Sequence, residues 1–214
     1  GKGNPKQKKE DAQNKIFEAN SKLDSTYRPY LEGKDISTYL ISWKNRWLKY
    51  GSNLAAPRDI SLFEGERILV RRIVGEKLIA CYTNDDFVTS QLLQIVKPYD
   101  QLLTKYILGI INSKLIAFYF RKKYNRQDIT FPEIRIYELS SLPIKIPKNQ
   151  SVFVKLVDKI LTAKKSDPNA DTSELEKEID NLVYKLYQLT YEEVKIIDPE
   201  FTLTEQEYEA IKIE

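Results

Sequence analysis

Guanidinium, ammonium and carboxamide groups gather at four places in this chain. They are Lys44, Arg46 and Lys49 in the run KNRWLK, then Arg58, then the pair Arg71 and Arg72, and finally Arg121, Lys122, Lys123, Asn125, Arg126 and Gln127 in the run RKKYNRQ. The chemistry open to such groups is recognition rather than bond breaking. An arginine fork matches the two acceptors on a guanine edge, Asn and Gln match adenine, and Lys or Arg neutralises phosphate. Each group is weak by itself, because a basic loop is usually only a solvated one. Four of them in one basic region point to a nucleic-acid surface.

Groups suited to covalent or acid-base chemistry are scarce. The 214 residues contain no histidine, which removes the commonest general base and metal ligand and every Ser-His or Cys-His pair. The one cysteine, Cys81, stands among apolar neighbours in a strand-like run and is expected to be a small buried hydrophobe. A metal-dependent nuclease needs several carboxylates and a lysine converging on phosphate. Glu193-Val194-Lys195 has the spacing of half such a motif, with no partner carboxylate pattern in order. The sole Gly-x-Gly is Gly1-Lys2-Gly3, so no phosphate-cradling loop or dinucleotide fingerprint is present, nor is the Asn-Pro-Pro-Tyr motif of amino-group DNA methyltransferases. No catalytic residue and no metal site are therefore expected in this stretch.

Charge is divided along the chain. The net charge of +3 conceals a value of +2 over residues 1–26, +7 over residues 27–147 and −6 over residues 148–214. Such a split suggests that the middle meets a polyanion while the tail stays clear of it. Hydrophobic residues make up 42% of the chain, enough for a real core. No run approaches the roughly 18 apolar residues of a membrane span and no signal peptide's apolar centre opens the chain, so a cytoplasmic location without membrane contact is expected. The absence of methionine leads to the further expectation that the sequence is a piece of a longer protein.

The elements that must position these groups follow from periodicity. Residues 1–26 show only a weak apolar pattern and are expected to form a loosely ordered lead-in from an upstream domain, with room for one short helix. Residues 27–147 are expected to form the recognition body. Within it, Tyr39-Leu40-Ile41 and the aromatic-rich residues 43–50 have strand character, and a turn or short helix follows Pro57 and Asp59. Residues 67–74 (RILVRRIV) and 77–83 (KLIACYT), separated by Gly75-Glu76, predict a hairpin, and residues 92–96 a third strand. Alternation places Arg71 and Arg72 on opposite faces, and an unpaired buried guanidinium is costly.

Residues 100–123 predict a helix broken at Asn112-Ser113, which are better at helix starts than in helix interiors. Its basic end, Arg121 to Lys123, complements the helix dipole. That account leaves the continuation YNRQD unexplained, and DNA contact explains both. Residues 131–147 are expected to be an extended return path. Residues 148–214 are expected to hold an antiparallel helical hairpin followed by a fraying acidic end. In the second helix Leu175, Ile179, Leu182, Leu186 and Leu189 form a heptad-like seam, opened by a capping box of Ser173 and Glu176.

Taken in order, YRPYLEGKDI, RILVRRI with KLIACY, YILGIINSKLIAFYFRKKY, TFPEIRIYELSSLPI, VKLVDKIL and ELEKEIDNLVYKLYQLTYEEVKII resemble the TaqI-like C-terminal specificity domain over residues 27–197. The helix followed by Asn112-Ser113-Lys114-Leu115, the return Phe131-Pro132-Glu133-Ile134-Arg135 and the exit Leu142-Pro143-Ile144 carry the likeness. Type I restriction specificity subunits share the Asn-Ser helix and the Leu-Pro exit. The resemblance implies a sequence-specific double-stranded DNA recognition domain, the C-terminal part of a restriction-modification enzyme. The parent would join it in cis to methyltransferase and nuclease domains that use S-adenosylmethionine and Mg and methylate adenine after flipping it from the duplex. No cofactor is expected within the stretch itself. The fold expected is α+β, with a small, mixed, partly antiparallel sheet and packed helices followed by the helical hairpin. The alternatives are an oligomerisation or docking module using the seam, or half of a type I specificity subunit.

Overall fold

The computed structural model describes residues 7–124 and 132–213. Helix α1 (Lys9–Gln13) leads to β1 (Glu18–Ala19), β2 (Tyr27–Leu31), β3 (Ile36–Ser37), β4 (Leu40–Ile41) and β5 (Trp47–Lys49). There follow β6 (Arg67–Arg71), β7 (Ala80–Thr83), β8 (Val88–Thr89) and β9 (Leu93–Val96). The helices α2 (Thr104–Asn112), α3 (Lys114–Tyr124), α4 (Ile136–Ser140), α5 (Ser151–Ser166), α6 (Ser173–Leu186), α7 (Tyr191–Ile197) and α8 (Glu205–Ala210) complete the described chain. The class is α+β.

Three small sheets form among the described residues. One has the order β1-β5-β2-β8, with β2 and β8 parallel and the other pairs antiparallel; β3 pairs with β4; and β7-β6-β9 is antiparallel throughout. Strand β6 is the centre of the molecule. Ile68, Leu69 and Val70 are all 0% exposed, because Ile68 and Val70 face the helical core while Leu69 packs with Cys81, Leu93, Leu31, Ile36 and Phe87 on the other side. A strand covered on both faces requires an unbroken apolar run, as in RILVR. Each of these side chains contributes about 1.5–3 kcal/mol by burial.

The expected hairpin forms with a different end. The ladder pairs Val70 with Ala80, and Arg71 donates its N–H to Ile79 O, but residues 72–74 turn instead to the return segment. Ile134 N donates to Arg72 O and Val74 N donates to Pro132 O, both at 2.8–2.9 Å. The two-residue turn at Gly75-Glu76 is thereby replaced by a longer connection. The return segment is not extended throughout either. Helix α4 lies within it because Glu138 reaches back to accept the Arg135 N–H at 2.7 Å, closing a first turn.

The break at Asn112-Ser113 is a bend of 62° between the helix ending at Asn112 and α3. Ser113 Oγ donates to Ile110 O at 2.7 Å and accepts from Ile116 N at 3.3 Å, ending one helix and starting the next. Asn112 does more than break the helix. Its carboxamide accepts the Ala80 N–H at 3.0 Å and donates to Ala80 O at 3.1 Å, occupying the β7 edge as a neighbouring strand would. An edge buried under a helix must be satisfied in some such way.

Helices α5 and α6 pack as an antiparallel pair, and both also pack on α2. Gly109 permits the approach: a Cβ there would lie 3.2 Å from Val157 Cγ2 and 3.7 Å from Ile179 Cγ2. The seam faces inward, with Ile179 1% exposed and Leu182 and Leu186 buried in the same core as Ile68 and Val70. It is therefore used within the chain and is not a free oligomerisation stripe.

Two helix-end expectations are corrected. Helix α6 has Thr172 as its N-cap, not Ser173, and the Thr172 hydroxyl meets Glu176 Oε1 at 2.9 Å. The acidic end does not fray: Thr190 with Glu193 and Thr204 with Glu207 make capping boxes that start α7 and α8. Tyr208, 0% exposed, then packs with Tyr184, Val194 and Phe201 in a satellite core. Toward the N-terminus, where a loose lead-in was expected, β1 pairs with β5 and Phe17 O accepts the Lys49 N–H. Among the described residues no single helix is long and apolar enough to cross a membrane.

Candidate nucleic-acid interface

The basic groups named from the sequence separate into those that bind the protein together and those that remain open. Arg46 belongs to the first kind. Its guanidinium meets Glu32 and the carboxylate of Asp35, which is only 1% exposed. Burial pulls the Arg46 pKa down, but the bond to Glu32 and the charge of Asp35 outweigh it and hold the pKa above the usual value. Glu32 is correspondingly held low by Arg46 and Lys34 against the opposing effect of burial.

Arg58 is an internal staple. It donates to Thr89 O, Thr89 Oγ1, Ser90 O and Leu93 O and lies 5.1 Å from the Phe63 ring centre. Burial lowers its pKa. Arg67, which the sequence did not single out, is fully buried and donates to Gly65 O, Asp85 O and Phe87 O, fastening two loops to β6. Arg72 pairs with Glu133 at 2.8 Å, with both side chains 38–40% exposed, so this bond is solvent-screened and worth little. Arg58 and Arg72 stand beside a groove of about 720 Å³ whose walls include Ile107, Ile111, Leu139 and Ile144.

The run KNRWLK is divided by the ladder. Pro29 pairs with Trp47 and Tyr27 with Lys49, so Lys49 points the chain toward the far end of β5 from Lys44 and Arg46. Three residues of strand separate Arg46 from Lys49, about 10 Å.

Arg71 is of the second kind. It ends β6, is partly exposed, and its guanidinium has no hydrogen-bond or ion-pair partner among the described residues. The turn of residues 33–35 lies near it: a Cβ on Gly33 would make ordinary contact with Leu92 Cβ at 3.4 Å and Arg71 Cγ at 3.9 Å. The same turn carries Asp35, which holds Arg46, and Lys34, which reaches Glu32 at 3.1 Å. Lys44, Asn45 and Gln91 are exposed on the adjoining loops. Lys34 and Gln91 stand outside any basic run and carry no distinguishing signal in the sequence, and Asn45, within KNRWLK, is marked there only by its charged neighbours. The left-handed backbone of Asn45 (φ 56°) is also invisible in a run that reads as strand.

Arg121, Lys122 and Lys123 form a separate exposed group at the end of α3. Arg121 donates to Glu76 O at 2.8 Å, Lys122 lies over the Phe118 ring and Lys123 over those of Tyr119 and Tyr124. A hydrogen bond to the Tyr119 hydroxyl raises the Lys123 pKa. The expected contacts Asn125, Arg126 and Gln127 lie outside the described residues.

No group of three His, Cys, Asp or Glu side chains suited to a metal ion occurs among the described residues. Cys81 is buried, and burial pushes its thiol pKa well above the normal range. Glu193, half of the weak nuclease spacing, instead caps α7 by accepting the Thr190 N–H at 2.8 Å. The arrangement is thus suited to presenting hydrogen-bond donors and positive charge to a polyanion.

Comparison with known proteins points in one direction. The profile of the TaqI-like C-terminal specificity domain matches residues 28–144. A protein of Methanocaldococcus jannaschii, whose name assigns it as a type II restriction enzyme and methyltransferase, is 32% identical over 181 residues. That alignment covers 79% of this chain and 15% of the relative, so the chain spans a small part of the relative's length. Among solved structures, the type IIL restriction-modification enzyme MmeI in complex with DNA matches 94% of this chain and 32% of its own, with a TM-score of 0.56 and 12% identity. At that identity the likeness concerns the fold.

Proposed function

The chain belongs to the TaqI-like C-terminal specificity domains, and from that membership we propose that it reads double-stranded DNA sequence for a restriction-modification enzyme. The observation that carries the proposal is the open Arg71 guanidinium. It is presented at the end of a strand buried on both faces, beside a turn and loop that bear Lys34 and Lys44. A rigid base under an unpaired, partly exposed arginine supports base-edge reading, and the neighbouring lysines support phosphate contact. The contacts of Arg46 and Arg58 support a different role for them, holding the surface in shape.

Methyltransferase and nuclease functions would lie in domains joined in cis, as the name of the M. jannaschii relative suggests, and S-adenosylmethionine and Mg would be bound there. The cytoplasm, where such an enzyme meets DNA, is the proposed location.

The test is fluorescence anisotropy of this 214-residue chain with labelled duplex between 50 and 200 mM salt. For about four phosphate contacts, log K against log salt should fall with a slope of about −3 to −4. A flat response overturns the proposal.

A further inference from the structure

Asn45 stands at the tip of the loop between β4 and β5, with φ at 56°. The left-handed region strains most side chains and is entered most easily by glycine, with asparagine next. The tip is held from every side. Ser42 N donates to Asp35 O at 2.7 Å, Trp43 Nε1 donates to Arg46 O at 2.9 Å, and Tyr30 N donates to the same oxygen at 2.8 Å. The Arg46 guanidinium closes on Glu32 and Asp35 and lies 5.7 Å from the Tyr30 ring centre. Trp43 packs edge-on against Trp47 and Phe87, tying the loop to the core beside β6.

Amid this fixed frame the Asn45 carboxamide is left over. The residue is exposed, and its amide has no hydrogen-bond partner among the described residues. Lys44 is exposed next to it, and the turn that anchors the loop through Asp35 also lies beside Arg71 at Gly33. A carboxamide offers one donor and one acceptor in a plane, the complement of adenine N7 and N6 in the major groove. Holding it on a rigid tip reduces the ordering cost of binding.

We infer that Asn45 is a specificity-determining residue that reads one adenine of the target, alongside Arg71. This assignment rests on the DNA-reading function proposed above. A turn role alone would be met at least as well by glycine, which is why Asn45→Gly is the informative variant: it keeps the left-handed backbone and removes only the amide.

The experiment is selection of bound duplexes from a randomised pool by the wild-type chain and by Asn45→Gly, followed by affinity and salt-slope measurements on the selected site. The wild-type pool should converge on a site with a fixed A·T pair that Asn45→Gly leaves unselected. The variant's affinity for the wild-type site should fall about 5- to 150-fold, with the salt slope unchanged, because one base contact and no phosphate contact is lost. A variant that selects the same site with the same affinity overturns the assignment and leaves DNA reading standing. A wild-type chain that converges on no site overturns both.

Discussion

Asp180 offers the sharpest test of how the C-terminal helices are joined to the rest of the molecule. It sits on α6, only 7% exposed, and its Oδ1 accepts the Lys114 N–H at 2.8 Å, where α3 begins after the bend. Burial pushes its pKa up to about 7, against the opposing effects of the Lys114 N–H bond and of the Lys114 and Lys77 charges. Those lysines are themselves engaged, Lys114 with Asp198 at 2.8 Å and Lys77 with Glu176 at 3.3 Å, which weakens their help. A carboxyl group whose folded pKa exceeds its unfolded value binds its proton more tightly when folded. Its contribution to stability is therefore complete below about pH 4 and is lost as pH rises toward 7.

The rise from 3.8 to about 7 corresponds to about 4 kcal/mol across that window, or about 1.4 kcal/mol per pH unit between pH 5 and 6.5. Asp180→Asn retains an oxygen for the Lys114 N–H and removes the ionisation. Urea unfolding of wild type and variant at pH 5, 5.5, 6, 6.5, 7 and 8 should show the variant gaining relative stability with rising pH, then levelling above pH 7. A difference that stays flat, or that turns against the variant as pH rises, would refute the reasoning. It would mean that Asp180 is held ionised as a charged cap on α3.

Three further outcomes separate structural from recognition roles. Asn112→Ala leaves the Ala80 N–H unpaired beneath α2, while Ala80 O keeps the Tyr39 N–H at 2.9 Å, and should cost about 1 to 3 kcal/mol, read by urea unfolding. Arg58→Ala removes four internal hydrogen bonds and should lower the melting temperature by several degrees, while duplex binding at a temperature where the protein is folded keeps its salt slope. Arg71→Ala should do the reverse: stability stays within about 0.5 kcal/mol, and affinity for a selected site falls by about 1 to 3 kcal/mol with relaxed choice at one base pair.

Several features were legible because their cause is local. The apolar run of residues 68–70, the helix break at Asn112-Ser113 and the inward stripe of Ile179, Leu182 and Leu186 each follow from residue type at short spacing. Charge division also pointed to a polyanion partner. The route of the chain at its crossings was not legible. Residues 72–74 leave the hairpin because Pro132 and Ile134, some sixty positions later, supply their backbone partners. The tail of residues 198–213 looked too polar to order, yet Tyr208 reaches a pocket made by Tyr184, Val194 and Phe201. Capping at Thr190 and Thr204 does carry a local signal, Thr-x-x-Glu, set in a tail whose polar composition masks it.

The basic surface shows the same division most plainly. Residue types alone determined that this chain has the means to bind a polyanion and lacks histidine-based catalysis, because donor capacity and charge travel with the side chain wherever it is placed. Which cation is free is a different matter. Arg46, Arg58 and Arg71 are indistinguishable in the sequence, but Asp35 and the carbonyls of Thr89, Ser90 and Leu93 claim the first two, while Gly33 and Leu92 flank the third without binding it. A guanidinium's role depends on whether an acceptor brought from elsewhere in the chain satisfies it, and only the tertiary fold decides which acceptors arrive.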